Sequence, residues 1–250
     1  MARRLAIIPA RGGSKRIPEK NIRDFCGKPM IAHILEVVRA SNLFEQIHVS
    51  TDCRKICRVV EGLGFEVPFL RPSEISDDHT PIMPVLKHVT DEFIRRGKHF
   101  DEIWQLMACA PFVTVSDLLG AAKRKASAEP QHSIIAVARY PVPVEWAYRR
   151  LASGHLTPLQ PGMFAVRSQD LQPAFFDTGT FVVYSPETVQ QSSGAGTDTN
   201  FIGFELDRRR VVDIDDEADW ELAQTLFTVL TAKQMPCELN DQIQRTQPLG

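Results

Sequence analysis

Short apolar runs alternate with amphipathic stretches through the first half of this chain. The apolar runs have the length of buried strands and predict β-strands at Leu5–Pro9, Gln46–Thr51, Glu66–Leu70 and Glu102–Met107. Between them, apolar residues recur at helical spacing and predict helices at Pro29–Ala40, Arg54–Leu63, Ile82–Arg96 and Val115–Ala126. This alternation is typical of an α/β fold with a mostly parallel central sheet and crossover helices.

The second half of the chain is less regular. Its pattern predicts strands at Ser133–Tyr140, Thr180–Ser185 and Gly203–Leu206, followed by a helix at Glu217–Leu230. Residues 141–162 contain four prolines together with Trp146 and Tyr148, which indicates an excursion from the core rather than a compact crossover. We therefore expect one domain over residues 1–234 and a flexible polar tail over residues 235–250.

Composition narrows the class of protein. The chain has 250 residues, of which 43% are hydrophobic and 24% charged, enough for one sizeable core. Its net charge of −2 argues against nucleic acid or a membrane surface as a partner. No apolar run approaches the ~18 residues of a membrane span. The five cysteines have no zinc-like pairing, so we expect free thiols and a cytoplasmic protein.

The loop after the first strand carries the clearest chemical signal. Residues 10–20, ARGGSKRIPEK, combine two glycines with Arg11, Lys15, Arg16 and Lys20. Glycines let backbone N–H groups approach phosphate oxygens, and Arg and Lys side chains neutralise them. The spacing matches neither a P-loop nor a dinucleotide fingerprint, and charge alone also fits a solvated basic turn. Strand, glycines and charge together predict a site for a nucleotide polyphosphate.

A second signal is the acidic run that follows Val212. Asp213 and Asp215 alternate with apolar residues, so both carboxylates would project from one face of a strand. Such oxygen ligands suit Mg²⁺, which also binds phosphate oxygens. The alternative is that Asp215 or Asp216 caps the following helix. Together with a phosphate loop elsewhere in the chain, the pair predicts a magnesium site.

Weaker signals follow the other predicted strands. Residues 49–52, VSTD, favour a helix cap. Arg71 follows the third apolar run and offers a fork for phosphate or carboxylate, unless nearby acidic residues hold it in an ion pair. Small residues in MACAPFV, residues 107–113, would let a ligand ring lie close to the backbone. The stretch 167–184 supplies further polar candidates before a strand, although a polar turn explains them equally well.

Several of these motifs together resemble the sialic-acid-activating cytidylyltransferases. The resemblance rests on ARGGSKRIPEKNI, CGKPMI, VSTD, FLRP with SDDHT, and the closing D-I-D, and it extends from Leu5 to Leu230. FLRPSEISDDHT, PVPVEWAYRR and RSQDLQPAFFDTGTF resemble, more narrowly, the members that activate pseudaminic acid. The resemblance implies an enzyme that couples CTP to a nine-carbon 2-keto sugar acid, giving a CMP-sugar and pyrophosphate.

The resemblance also implies a structure and roles for residues. It implies a three-layer α/β/α nucleotidyltransferase fold related to the GT-A glycosyltransferases, and a homodimer built through an arm at residues 141–162. The implied nucleotide-binding residues are Ala10, Arg11, Gly12, Gly13, Ser14, Lys15, Lys20, Asn21, Arg71 and Ala110. Asp213 and Asp215 would hold Mg²⁺, and the implied catalytic residues are Arg11, Lys15, Lys20 and Asp215. The implied sugar-binding residues are Met107, Arg167, Gln169, Asp177 and Gly179.

Two departures from the family pattern concern the sugar. Met107 stands where many sialic acid enzymes carry a glutamine, which argues against ordinary sialic acid. Phe181 is followed by Val182 and Val183, whereas pseudaminic acid enzymes often have an aromatic pair. The N-acetylneuraminic, legionaminic and Kdo cytidylyltransferases therefore stay open as alternatives. More distant alternatives are a GT-A glycosyltransferase and a non-catalytic nucleotide-binding relative.

Overall fold

The computed structural model describes residues 2–232, and a six-stranded mixed sheet forms their centre. The strands are β1 (Arg4–Pro9), β2 (Asp24–Phe25), β3 (Lys28–Pro29), β4 (Gln46–Ser50), β5 (Glu102–Leu106), β6 (Ser133–Arg139), β7 (Tyr148–Arg150), β8 (Leu156–Pro158), β9 (Phe175–Tyr184) and β10 (Phe201–Glu205). The order in the central sheet is β10-β6-β9-β5-β1-β4. Strand β9 is antiparallel to both β5 and β6, and the other pairs are parallel.

Helices cover both faces of this sheet. They are α1 (Met30–Ala40), α2 (Arg54–Gly62), α3 (Ile82–Arg95), α4 (Val115–Ala126), α5 (Pro186–Gln191) and α6 (Glu217–Ala232). Side chains alternate along β1, so Ala6 and Ile8 pack against α1, α2 and α4, while Leu5 and Ile7 pack against α3 and α5. The predicted three-layer α/β/α fold is therefore confirmed.

A third apolar cluster joins the last described helix to the loop after β1. Ile17 and Phe25 of that loop region are buried against Trp220 of α6, with the Phe25 and Trp220 rings edge to face at 5.3 Å. Ile214 belongs to the same cluster. This packing brings residues 213–215 to the loop that carries the cations.

The segment between β6 and β9 leaves the core, as its prolines indicate. Strands β7 and β8 pair antiparallel as a separate hairpin whose residues are all exposed. Val142, Leu156 and Phe164 expose 59%, 60% and 76% of their surface. A protruding segment with this much apolar surface suits contact with another protein surface.

Most predicted elements are confirmed within one or two residues, but two strands are wrong. Residues 66–70 form no strand, because Pro68 cannot donate to a ladder and the neighbouring apolar residues pack onto the two core clusters instead. Residues 211–215 are also unpaired and extended rather than part of a sheet. Strand β9 begins five residues earlier than predicted, at Phe175 rather than Thr180.

Two other expectations concern the C-terminal tail and membrane-spanning segments. The expected tail at residues 235–250 lies outside the described residues. None of the helices within residues 2–232 has the length and apolar character to cross a bilayer.

Candidate active site

A cavity of about 600 Å³ opens at the edge of the sheet where β1, β4 and β5 end. These three strands are parallel, so their carboxyl ends lie side by side, which is where open α/β sheets bind ligands. The cavity is lined by Pro9, Arg11, Ser14, Lys15, Arg16, Lys20, Asn21, Arg71, Asp77, Asp78, Thr80, Ile82, Val85, Met107, Ala108, Cys109, Thr178, Gly179, Thr180, Val212, Asp213, Ile214 and Asp215.

The loop after β1 is fixed by a carboxylate from the end of β4. The backbone N–H of Gly12 donates to Asp52 Oδ1 at 3.0 Å. A side chain at residue 12 would meet Cys53, since a Cβ built there lies 2.8 Å from the Cβ of Cys53. Asp52 therefore holds the loop rather than capping α2, which begins without any side-chain cap. The cap expected from VSTD is wrong for this reason.

Arg71 is held rigidly at the same edge. It is buried, its Nε donates to Ser50 Oγ at 3.1 Å, and its Nη2 donates to the carbonyl oxygen of Ser50 at 2.6 Å. Burial lowers the pKa of Arg71 to about 10, so the guanidinium stays charged at neutral pH. Although the strand expected before it is absent, its backbone N–H bonds to the carbonyl of Thr51 at 2.8 Å, which keeps it at the end of β4.

The acidic run faces the cations of the loop. Lys20 Nζ donates to the carbonyl oxygen of Ile214 at 2.6 Å and lies 3.8 Å from Asp215 Oδ1. Arg16 pairs with Asp215 Oδ2 at 2.8 Å. At the start of α6, Asp216 Oδ1 accepts a hydrogen bond from the N–H of Asp219. Capping thus falls to Asp216, and the Asp215 side chain is left facing the cavity.

Asp213 and Asp215 form an electrostatically unfavourable pair that suits a cation. Burial, reinforced by the charge of Asp215, raises the pKa of Asp213. A divalent ion at this point would relieve the repulsion, and carboxylate oxygens are the ligands that Mg²⁺ prefers. Within residues 2–232, no group of three or more His, Cys, Asp or Glu side chains is placed to hold a metal. An ion held by two carboxylates alone would take its remaining ligands from phosphate and water.

The opposite wall is built from the end of β5 and an irregular part of β9. The Met107 N–H donates to the carbonyl of Thr180 at 2.8 Å. Gly179 has a φ of +61°, and the pairing of β6 with β9 shifts register nearby. Thr178 and Thr180 line the cavity, and their hydroxyls lie 2.8 Å apart. This wall offers small polar groups beside the apolar side chain of Met107.

Cys109 contributes a neutral thiol to the floor. Its Sγ lies 3.3 Å from Asn21 Oδ1, and Asn21 Nδ2 donates to the carbonyl of Arg11 at 3.1 Å. Burial raises the pKa of Cys109 to about 11, so the thiol is protonated at neutral pH. The side chain therefore orients Asn21 and is unsuited to act as a nucleophile.

The structure brings most of the predicted site residues together. The cavity is lined by Arg11, Ser14, Lys15, Lys20, Asn21, Arg71, Met107, Gly179, Asp213 and Asp215. Ala10, Gly12, Gly13, Ala110 and Asp177 are close in sequence to the lining residues but are not part of the wall. Asp177 accepts a hydrogen bond from the N–H of Gly179 at 2.9 Å.

Two predicted sugar-binding residues lie elsewhere. Arg167 is exposed and pairs with Asp170 at 2.9 Å. Gln169 lines a second cavity of about 440 Å³ together with Arg139 and Tyr140, at the base of the segment that leaves the core. Within one copy of the chain, neither side chain reaches the cavity at the sheet edge.

Several residues that shape the cavity were not among the predicted site residues. Arg16 stands in the same basic loop, so its charge was a sufficient signal. Ser50, Asp52 and Asp78 act through contacts with distant parts of the chain, which no local pattern reveals. Thr178 and Thr180 flank a predicted glycine and reach the cavity through the shift in register.

Both the sequence and the fold of this chain resemble those of known proteins. A family model described as cytidylyltransferase matches residues 5–140. Pseudaminic acid cytidylyltransferase of Campylobacter jejuni is 32% identical over 231 residues, covering 90% of this chain and 96% of the relative. CMP-N,N'-diacetyllegionaminic acid synthase of Legionella pneumophila is 27% identical over 230 residues, covering 89% of this chain and 95% of the relative.

A solved structure supports the fold independently. CMP:2-keto-3-deoxy-manno-octonic acid synthetase complexed with CTP superposes with a TM-score of 0.68, covering 94% of this chain and 100% of that one. The sequence identity is 17%, so this likeness concerns the fold alone.

Proposed function

This chain belongs to the cytidylyltransferase family, and we propose that it couples CTP to a nine-carbon 2-keto sugar acid, giving the CMP-sugar and pyrophosphate. We propose pseudaminic acid as the sugar acid. The relative that carries this sugar in its name matches at 32% identity, against 27% for the legionaminic acid relative. Met107, in the wall formed by β5 and β9, argues against ordinary sialic acid, because it cannot offer the amide hydrogen bonds of a glutamine.

One observation carries the proposal. A loop with Arg11, Lys15 and Lys20 and an aspartate pair distant in sequence line the same cavity at the carboxyl edge of the sheet. Cations and carboxylates that line the same cavity suit a metal-bound triphosphate. A glycosyltransferase with a similar aspartate pair would not need so many cations in the loop after β1.

The reaction is an in-line substitution at phosphorus. The anomeric 2-hydroxyl of the sugar acid attacks the α-phosphorus of CTP. A bond forms between that oxygen and phosphorus while the bond to the oxygen bridging the α- and β-phosphates breaks. Pyrophosphate leaves with the electron pair, and the hydroxyl proton is released. Negative charge grows on the leaving group and on the equatorial oxygens, so the catalytic task is mainly electrostatic.

The basic residues meet this charge. Arg11, Lys15 and Lys20 would bind the phosphates and stabilise the departing pyrophosphate, and the fixed guanidinium of Arg71 would bind the nucleotide. Ser14 and the backbone N–H of Gly13 would add hydrogen bonds to phosphate. Ala10 and Gly12 donate their own N–H groups to Ser50 and Asp52, so they would shape the nucleotide-binding loop. Asn21 and Ala110 would lie beside the cytidine.

Asp213 and Asp215 would hold a Mg²⁺ ion. When bound, such an ion neutralises phosphate charge and helps to orient the α-phosphate. Asp215 also pairs with Arg16 and lies close to Lys20, so its carboxylate keeps these cations next to the reacting phosphate.

We also propose a homodimer formed through residues 141–162. The exposed apolar surface of the β7–β8 segment supports a contact between copies. Arg167 and Gln169, which lie outside the cavity of their own chain, would then serve the sugar in the cavity of the partner. Met107, Asp177 and Gly179 would contact the sugar from within the chain.

The location proposed for the reaction is the cytoplasm, where CTP is made. Free thiols at the four described cysteines, Cys26, Cys53, Cys57 and Cys109, fit a reducing compartment.

The test is an assay of pyrophosphate release with CTP, Mg²⁺ and each sugar acid in turn. We expect the highest kcat/KM with pseudaminic acid, and lower values with legionaminic acid, N-acetylneuraminic acid and Kdo. A higher value with another acid would reassign the sugar, and no pyrophosphate with any of them would contradict cytidylyl transfer. Replacing CTP by a CMP-sugar tests the glycosyltransferase alternative, which releases no pyrophosphate.

A further inference from the structure

The carboxylate of Asp78 is shared by two cations of the loop after β1. One of its oxygens pairs with the guanidinium of Arg11 and the other with the ammonium of Lys15. Arg11 also donates to the carbonyl oxygen of Asp77 at 2.9 Å. All these residues line the cavity at the sheet edge. A carboxylate therefore occupies the position at which phosphate oxygens would meet the same two cations.

We propose that Asp78 is a resident counter-ion of the triphosphate site. It holds Arg11 and Lys15 in place when no nucleotide is bound, and CTP displaces it when the phosphates arrive. This inference rests on the proposed function, because it requires that a triphosphate uses these two cations.

The surrounding turn is built so that the Asp78 side chain can leave without unfolding. The neighbouring Asp77 fixes the backbone, since its Oδ1 accepts hydrogen bonds from the N–H groups of His79 and Thr80 at 2.9 and 2.6 Å and from the hydroxyl of Thr80 at 2.8 Å. Within residues 2–232, the polar contacts of the Asp78 carboxylate are those with Arg11 and Lys15. Its release therefore breaks two ion pairs and leaves the turn intact.

Charge favours the pairing of Asp78 with the two cations when CTP is absent, and the displacement of Asp78 when CTP binds. Hydrogen bonding from Lys15, helped by the charge of Arg11, lowers the pKa of Asp78, so the carboxylate is ionised at neutral pH. Without it, two cations beside Arg71 would repel one another across the empty cavity. A triphosphate carries more negative charge than one carboxylate and would therefore displace Asp78. Displacing Asp78 costs free energy, so CTP binds less tightly than it would without this carboxylate.

The experiment compares CTP binding, without sugar acid, by isothermal titration calorimetry. In Asp78→Asn the competing charge is gone, and we expect Kd for CTP to fall about threefold to tenfold, the scale of exposed ion pairs. Asp78→Glu restores a carboxylate and should bind within about twofold of the wild-type protein. Glu74→Gln removes one negative charge from the same segment but has no polar side-chain contact within residues 2–232, and it should also stay close to the wild type.

Unchanged or weaker CTP binding by a folded Asp78→Asn variant would overturn the inference. If the wild-type protein itself binds no CTP, the proposed function fails instead, so the two failures are distinguishable. Amide hydrogen exchange supplies a second readout. Without CTP, residues 12–16 should exchange faster in Asp78→Asn than in the wild type, and with CTP the two should agree. Equal exchange in the two nucleotide-free proteins would show that Asp78 does not hold the loop in place.

Discussion

Lys20 and Ile214 are 194 positions apart in the chain, yet the ammonium of Lys20 donates a hydrogen bond of 2.6 Å to the carbonyl oxygen of Ile214. This contact joins the basic loop after β1 to the backbone between the two aspartates. Lys20 is thereby held 3.8 Å from Asp215, beside the position that we propose for the phosphates of CTP.

Replacing Lys20 by methionine should therefore impair turnover more than folding. The variant keeps the aliphatic stem but loses the charge, and we expect kcat to fall about 100-fold, the usual cost of removing one donor from a transition state. Pyrophosphate release measures the effect. Lys28→Met is the matched control, because Lys28 pairs with Glu36 away from the cavity and should retain wild-type turnover. A Lys20→Met enzyme of normal kcat would exclude the proposed role.

Substitutions at Asp215 and at Asp216 should have different effects, the first on activity and the second on stability. Asp215→Asn loses the charge that faces the cavity, so we expect turnover to fall about 100-fold or more at saturating Mg²⁺ with little change in melting temperature. Asp216→Ala loses the cap of α6 and should cost about 1 kcal/mol of stability while turnover is kept. Both are measured by pyrophosphate release and by denaturant unfolding. The reverse pattern would mean that the two roles are misassigned.

Asp52 should govern nucleotide binding through the loop that it holds. Asp52→Ala removes the acceptor for the Gly12 N–H, and we expect KM for CTP to rise about tenfold, the equivalent of about 1.4 kcal/mol. Asp52→Asn keeps an amide oxygen as acceptor and should recover most of this loss. Steady-state kinetics at saturating sugar acid provide the measurement. If the alanine variant changes only kcat, the loop is held by other contacts.

Mixed dimers test whether Arg167 acts on the partner. Arg167→Ala and Asp215→Asn homodimers should each be poorly active. If Arg167 serves the cavity of the other copy, a mixed dimer of the two variants contains one complete site and regains activity. Differently tagged chains allow the mixed dimer to be purified and assayed. Absence of recovery would mean that Arg167 serves its own chain or has no role in the site.

Acid should destabilise the fold through His48. This ring is buried, stacks on Phe69 at 4.2 Å, and neither of its nitrogens has a hydrogen-bond partner within residues 2–232. Burial lowers the pKa of His48 to about 3, below the value of about 6.5 in an unfolded chain. Between these values the unfolded state binds more protons. The contribution of His48 to stability is therefore complete above about pH 6.5 and declines as pH falls, by about 2 kcal/mol at pH 5.

His48→Phe should remove this part of the pH dependence while keeping the stacked ring. Guanidinium unfolding at pH 7, 6 and 5 measures it, and the difference between variant and wild type isolates His48 from His33 and His88, whose pKa values are also lowered. Parallel stability curves for the two proteins would contradict the assignment.

Local pattern was enough to predict most of the fold. Strand β1 follows from a short continuous apolar run, because both of its faces are buried, and helix α4 follows from apolar residues that recur at helical spacing. The same rule failed at residues 66–70, where the apolar side chains divide between two cores and Pro68 interrupts pairing. It also failed at residues 211–215, whose alternation reflects packing of Val212 and Ile214 against α6 rather than membership of a sheet.

The site was predictable only in part, for a related reason. Arg11, Lys15 and Asp215 stand out by charge and by position after strands. Asp52 and Asp78 owe their positions to contacts with Gly12, Arg11 and Lys15 across the fold, and an isolated aspartate gives no local signal of its partner. The location of Arg167 outside the cavity likewise depends on how a long excursion leaves and rejoins the sheet.

The apolar cluster of Ile17, Phe25 and Trp220 has a consequence for the synthesis of this protein. The basic loop leaves the ribosome well before α6, which is the last helix described. A nascent chain can pair β1 with β4 and β5 long before residues 213–232 emerge. The loop thus acquires its acidic counterpart only after residues 213–215 have been made, and a chain cut short before residue 213 would carry the cations without the aspartates of the proposed site.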